Sequence, residues 1–421
     1  MEKVLTNHIT SHKEMITIIC ILILTLGGII ISVLGLNLLG WMCIFVGSVS
    51  LYIFEKDLFW KTPFLIPILI LGIVSVISYL VTTFHIETTN HLSRFWAAVV
   101  LCVVYCIWAK ETHRQLLLTL GLLVIGLGLA IISPLIVQWG VAKGGFLPAA
   151  LYTWLPDPMV VDTVHPNIIA SLMILLLPIS LAYFIILTPI LNRHVFGRFV
   201  LLFLISFVML IPLLLSKSRA GLLAAGLSFI FLLWFCQQQK LAKFLLGILG
   251  VITIISIFLS VQSLQNSTSN VLDTSSLQFR MRVWEIDAMM LQDFPFTGVG
   301  IGTFNITAAR FYPAFTEMND NPGAHNLFFQ IGADLGLIGL IAMMAIYILA
   351  LYMGRESIRF FAAREETLSW AMSAGLTTGL IAILFHGITD INVWGTRGTF
   401  APWMVMGLIG GIYASTRLAK V

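Results

Sequence analysis

Apolar runs of about 20 residues recur along this chain from Ile16 to Tyr413, and few charges interrupt them. In hydrocarbon every backbone amide needs a partner within the protein, and a helix of that length spans the bilayer core while satisfying all of its own. The chain is 59% hydrophobic and 10% charged, against about 45–50% and about 25% in ordinary soluble domains. This excludes a soluble globular enzyme and predicts an all-α polytopic membrane protein. The windows lie near 16–36, 38–54, 63–84, 93–109, 115–137, 166–188, 199–215, 219–236, 243–261, 332–353, 368–388 and 398–416. Together they predict about 12 transmembrane helices in a single integral membrane domain over 1–421.

The first run reaches Gly35-Leu36-Asn37 without a small-residue cleavage site, so it reads as a retained span rather than a signal peptide. Cys20, Cys43, Cys102, Cys106 and Cys236 all lie inside apolar runs, which argues for small apolar filler and against a disulfide framework or a zinc site. Placing the N-terminus in the cytoplasm puts Lys56, Lys61, Lys110, Arg114, Arg355, Arg359, Arg364 and most other basic residues inside. Both ends are then cytoplasmic.

Two outer segments are large. The first, 138–165, is punctuated by Gly and Pro and ends in Val164-His165-Pro166-Asn167. The second, 262–331, opens with a polar run and turns periodic from Phe279 to Leu291, an amphipathic helix that Asp293-Phe294-Pro295 ends. Gly298-Val-Gly-Ile-Gly302 then predicts a turn before another short helix. No soluble repeat and no nucleic-acid patch is present.

The polar residues that interrupt this pattern are the candidates for chemistry. Ser216-Lys-Ser-Arg219 joins two spans so tightly that Arg219 lies at the outer boundary, where it requires water or an anion. With Lys217 and the free amides of the next helix, it forms an anion site at a helix N-terminus; the alternative is headgroup snorkelling. Arg280 and Arg282 are two residues apart, so only one faces a shared cavity, and Arg282 is the favoured one. The competing reading is a solvated ion-pair face with Glu285 and Asp287. Arg310, before Phe311-Tyr312-Pro313, is a weaker cationic candidate.

His325 suits proton transfer, because an unperturbed imidazole titrates near 6.5. Asn326 can cap the next helix or hold the ring, and a structural hydrogen-bonding histidine is the alternative. Gly332, Gly336 and Gly339 read as close-packing positions for a helix or a lipid chain. His386 and Asp390, four apart, can pair with each other or with Arg397. The first outer loop, at Leu36-Asn37-Leu38-Leu39, holds no acid, so the chemistry looks cation-assisted and free of metal.

Ser216-Lys-Ser-Arg-Ala-Gly221, the Arg282-Val-Trp284 helix leading to Pro295-Phe-Thr-Gly-Val-Gly300, and His325-Asn326 followed by Gly336 and Gly339 resemble the O-antigen ligase and polymerase superfamily. The resemblance spans about 210–345. It implies a C-type membrane glycosyltransferase of the bacterial inner membrane, with its site facing the periplasm. The implied donor is an undecaprenyl-diphosphate-linked glycan, and the acceptor is a lipid A core or another glycan, with membrane lipids as surroundings and no nucleic acid. Residues matching Arg219 and Arg282 would hold the diphosphate, with Lys217 and Arg280 beside them. His325 would activate the acceptor hydroxyl, supported by Asn326, Arg310, His386 and Asp390. Inverting transfer without metal or cofactor is implied. Ligases often follow the second glycine with Thr-Gly, whereas Leu340-Ile341 stands here, which leaves ligase, polymerase and protein oligosaccharyltransferase open.

Overall fold

A computed structural model describes residues 2–34, 36–54, 62–139, 152, 154–159, 163–187, 196–237, 240, 243–244, 275–312, 323–391 and 393–418. The described residues form helices: α1 Glu2–Ile29, continued by a π turn at Ile30–Leu34, α2 Asn37–Phe54, α3 Leu65–Val81, α4 His85–Trp108, α5 Thr112–Ile136, α6 Pro166–Leu187 and α7 Phe196–Leu215. There follow α8 Arg219–Phe235, α9 Ser275–Asp293, α10 Phe304–Phe311, α11 Leu327–Ala363, α12 Thr367–Gly387 and α13 Phe400–Leu418. Every expected span holds a helix except 243–261, nearly all of which lies outside the described residues, as do 262–274 and most of 138–165. The amphipathic helix expected from Phe279 is α9, and the short helix after the glycine turn is α10.

Among the described residues, six helices are long and apolar enough to cross a membrane: the 14–32 part of α1, then α4, α5, α6, α11 and α12. Bulky apolar side chains such as Leu22, Phe45, Leu80, Val124 and Ile341 point outward, each more than 60% exposed. Apolar surface of that kind is stable only against lipid, so this is an all-α membrane protein.

At the centre, α6 lies along α12, and α4 along α13. Lipid gives no hydrophobic drive between such helices, so close contact comes from small residues. Gly375 and Gly379 bring α12 onto the α6 backbone at Ile179 and Leu175, and a Cβ at Gly375 would sit 2.6 Å from the Ile179 Cα. Around this pair pack α7, α8 and α11.

One helix departs from the regular pattern in a way that builds the site. Inside α11, Gly336 has φ 70° and ψ −177°, a conformation essentially confined to glycine. The break frees carbonyls one turn earlier and an amide just after. The Pro295–Gly300 loop takes them up: Leu337 N–H donates to Pro295 O (2.7 Å), Val299 N–H to Ala333 O (2.9 Å) and Gly300 N–H to Asp334 O (3.2 Å). The Ser78 hydroxyl of α3 adds a second bond to Asp334 O, at 2.8 Å. Gly336 does allow a close approach, as expected, but the approaching group is this loop, and a Cβ would meet Pro295 O at 2.7 Å. Gly339, by contrast, faces Leu335 of its own helix.

Candidate functional site

Two turns of the same design enter α8 and α11. Lys217 and His325 have φ of 51° and 50°, the left-handed region that few side chains adopt. Each precedes an N-cap. The Ser218 hydroxyl accepts from Gly221 N–H at 3.1 Å, and Asn326 Oδ1 accepts from Phe328 and Phe329 N–H at 2.9 and 3.1 Å. Short polar caps of this kind satisfy amides that a helix start leaves orphaned.

Both turns dock on the end of α12. Asn326 Nδ2 donates to Ile388 O at 3.0 Å, so Asn326 both caps α11 and ties it to α12. His386 is 1% exposed and bridges to two other helices. The Ser171 hydroxyl of α6 donates to Asn167 O at 2.8 Å. Its lone pair therefore accepts from His386 Nδ1–H (3.0 Å), leaving Nε2 to accept from the Ser218 hydroxyl at 3.4 Å. Asp390 accepts from Asn167 Nδ2 at 2.8 Å and from Ile391 N–H at 2.8 Å. His386 and Asp390 thus clasp α6 and α8 to α12. Among the described residues, no ion pair joins either of them to Arg397.

Three helix starts consequently meet at one place: α6, which opens on Pro166, α8 and α11. Helix N-termini carry partial positive charge and unpaired amides, a setting for an anion. The opposing C-terminal dipole of α12 is partly offset because Ile388 O is already bonded to Asn326.

Basic residues surround this junction. Arg219 is exposed at the first position of α8. Lys217 places its ammonium 4.1 Å from the Tyr152 ring centroid, while the Tyr152 hydroxyl donates to Leu215 O at 3.0 Å. On α9, the half-buried Arg280 lies near enough for its charge, with that of Asp390, to act on His386. Arg282, the favoured one of the pair, is exposed. The rotation of α9 explains this: Val283, Ile286 and Met290 pack with Ala333 of α11, and Arg280 lies one turn before Val283 on that side. That apolar spacing is the signal that identifies Arg280. Arg310 is elsewhere, its guanidinium 6.0 Å from the Phe84 ring and 5.9 Å from the Phe311 ring.

The expected ion-pair face with Glu285 and Asp287 does not form among the described residues. Asp287 is 1% exposed, and neither of its carboxyl oxygens has a hydrogen-bond partner among the described residues. Burial pushes its carboxyl up to about 8, and the neighbouring Asp334 carboxylate adds to the rise. It is neutral at physiological pH, which lets it remain buried.

Behind the His325 turn runs a buried polar chain. Trp284 Nε1–H donates to Ala324 O at 3.1 Å, and Ala324 N–H to Gln330 Oε1 at 3.0 Å. Gln330 Nε2 donates to Asp334 Oδ1 at 2.9 Å, and Trp394 Nε1–H to Asp334 Oδ2 at 2.8 Å. Asp334 and Gln330 are invisible in an averaged apolar window. A buried acid inside a span was nonetheless a signal for them.

At the opposite end of the bundle Glu14, Glu111 and His113 bring ligand atoms within 4.8 Å of one another. Arg114 also approaches Glu14 (3.9 Å) and Glu111 (3.6 Å), so the group is an ion-pair cluster.

The stretch 204–344, from α7 through both turns into α11, matches the family described as O-Antigen ligase. That match supports membership of the O-antigen ligase and polymerase superfamily. No curated protein matches the chain.

Proposed function

We propose that this chain, a membrane protein of the O-antigen ligase and polymerase superfamily, is a glycosyltransferase acting on an undecaprenyl-diphosphate-linked glycan at the outer face of the bacterial inner membrane. The observation that carries the reading is the meeting of three helix starts with Arg219, Lys217 and Arg280 around the end of α12. A diphosphate leaving group gains charge as its bond to the anomeric carbon breaks, and fixed guanidinium groups and helix amides stabilise that charge more in the transition state than in the ground state. Arg219 and Lys217 fit the leaving group directly. Arg280 lies deeper and Arg282 closer to solvent, so Arg282 meets the donor where the carrier enters.

His325 takes the proton from the acceptor hydroxyl. The oxygen attacks the anomeric carbon opposite the departing diphosphate, the glycosidic bond to phosphate breaks, and the anomeric centre inverts. A residue held in the left-handed region by bonds on both sides is a positioned group, which suits a base that must meet one hydroxyl. The acceptor is a lipid A core, with a carrier-bound glycan (polymerase) or a protein hydroxyl as the other acceptors of the same chemistry. Both chain ends then lie in the cytoplasm.

Arg219→Ala and His325→Ala proteins are expected to insert normally and to lose transfer from purified carrier-linked glycan by at least about 100-fold, the range for removing a general base or a leaving-group donor. Undiminished transfer by both would end the mechanism. Elongation of the carrier-linked glycan without added acceptor identifies a polymerase. Dependence on a lipid A core identifies a ligase.

A further inference from the structure

Ala324, the residue before His325, is held at both of its backbone polar groups. Its carbonyl accepts from Trp284 of α9 and its N–H donates to Gln330 Oε1, so side chains of two helices fix the peptide that enters His325. Gln330 belongs to the first turn of α11 and reaches back six residues to do this. An amide carries an acceptor at one end and a donor at the other. Only the oxygen end can hold the Ala324 N–H.

Asp334 determines which end that is. Its side chain is fully buried and accepts at both oxygens: Oδ1 from Gln330 Nε2, Oδ2 from Trp394 Nε1–H and from Gly302 N–H at 3.3 Å. A carboxylate offers no donor. Facing Gln330, it takes the NH₂ end of the amide and leaves Oε1 for Ala324. A carboxamide in its place would keep its oxygen toward Trp394 and Gly302, turn its nitrogen to Gln330, and set donor against donor.

Gln330 and Asp334 also line a cavity of ≈ 150 Å³ together with His91, Asn305 and Trp394, room for about five waters. Water both donates and accepts, so in this cavity it can stand in for a truncated side chain. Direction, and not the mere presence of a polar group, is what the carboxylate supplies.

We infer that Gln330 and Asp334 are positioning residues for His325: Asp334 fixes the sense of the Gln330 amide, and Gln330 thereby holds the peptide that aims the imidazole. The inference rests on the transferase reading and deepens it, since the two residues act through the His325 turn and touch no reacting atom.

Nearly isosteric exchanges on the full-length protein in detergent test it. Asp334→Asn and Gln330→Glu each oppose like groups, and each is expected to lower kcat about tenfold or more with KM for the carrier-linked glycan unchanged, the signature of a misplaced group that acts only in the transition state. The double variant Gln330→Glu/Asp334→Asn exchanges donor and acceptor, restores every bond and keeps the charge, so kcat should recover. Carbethoxylation of His325 by diethyl pyrocarbonate, followed by mass spectrometry against the exposed His85, reads the turn without any substrate: both single variants should react faster than wild type and the double variant at the wild-type rate. Ser78→Ala removes a bond to Asp334 that does not feed the turn, and should lower the melting temperature while leaving kcat and His325 reactivity alone. Wild-type kcat or wild-type His325 reactivity in both single variants, a double variant no better than the singles, or an equal loss of kcat in Ser78→Ala would overturn the inference. If His325 reactivity follows the cycle while the wild type transfers nothing, the transferase reading fails and the positioning of His325 stands.

Discussion

The turns that open α8 and α11 share a backbone design but differ in what holds them. The Lys217-Ser218 turn carries local cap bonds within Ser216–Gly221, with Lys217 against the Tyr152 ring and Ser218 bonded to His386. The His325-Asn326 turn is held from a distance, by Trp284 of α9, Ile388 after α12, and the loop that fills the break at Gly336. In the proposed mechanism the first turn presents cations to an anion, which needs charge more than exact placement. The second presents an imidazole ring to one hydroxyl, which needs placement. Long-range support is what placement requires.

Gly336→Val tests the comparison most severely. It forces a side chain into a backbone region worth about 1–3 kcal/mol of strain and drives a Cβ against Pro295 O. Transfer should vanish while the protein still inserts, and limited proteolysis should open the Pro295–Gly300 loop and leave the α7–α8 connection protected. Cleavage at both places would show that the two turns are not independent.

A smaller difference is expected between the caps. Ser218→Ala should cost about 0.5–2 kcal/mol, whereas Asn326→Ala also loses its bond to Ile388, about 0.5–1.5 kcal/mol more. Thermal unfolding of the two variants measures this, and equal losses would erase the distinction.

The smallest effect concerns Asp287, on the helix that supports the second turn. Its folded carboxyl titrates near 8, above the unfolded value near 3.9, so between about pH 4 and 8 the folded state holds more protons. Stability therefore falls as pH rises through that window. In Asp287→Asn the decline should flatten, leaving the variant a few degrees more stable than wild type at pH 8.5. Parallel melting curves across the range would remove Asp287 from the support.

The same contrast explains what was legible in the sequence. The Ser216–Arg219 turn and the amphipathic α9 are set by neighbouring residues, and apolar spacing finds them. The break in α11 depends on amides nearly 40 residues earlier in the chain, so Gly336 read as a packing glycine. Spacing alone cannot give the rotation of α9, which its packing on Ala333 decides, leaving Arg280 half-buried and Arg282 exposed. His91 sits near the start of an apolar helix, and Asn305 in a short one. Only the fold brings them to one cavity.

The break at Gly336 also orders assembly. Insertion can set the apolar part of α11 across the bilayer, but the carbonyls of Ala333 and Asp334 then wait for Val299 and Gly300, which belong to a segment made earlier. The turn with His325 is completed by docking after insertion. A chain can therefore have every helix correctly threaded and still lack its site, so topology mapping and activity report on two separate stages of its maturation.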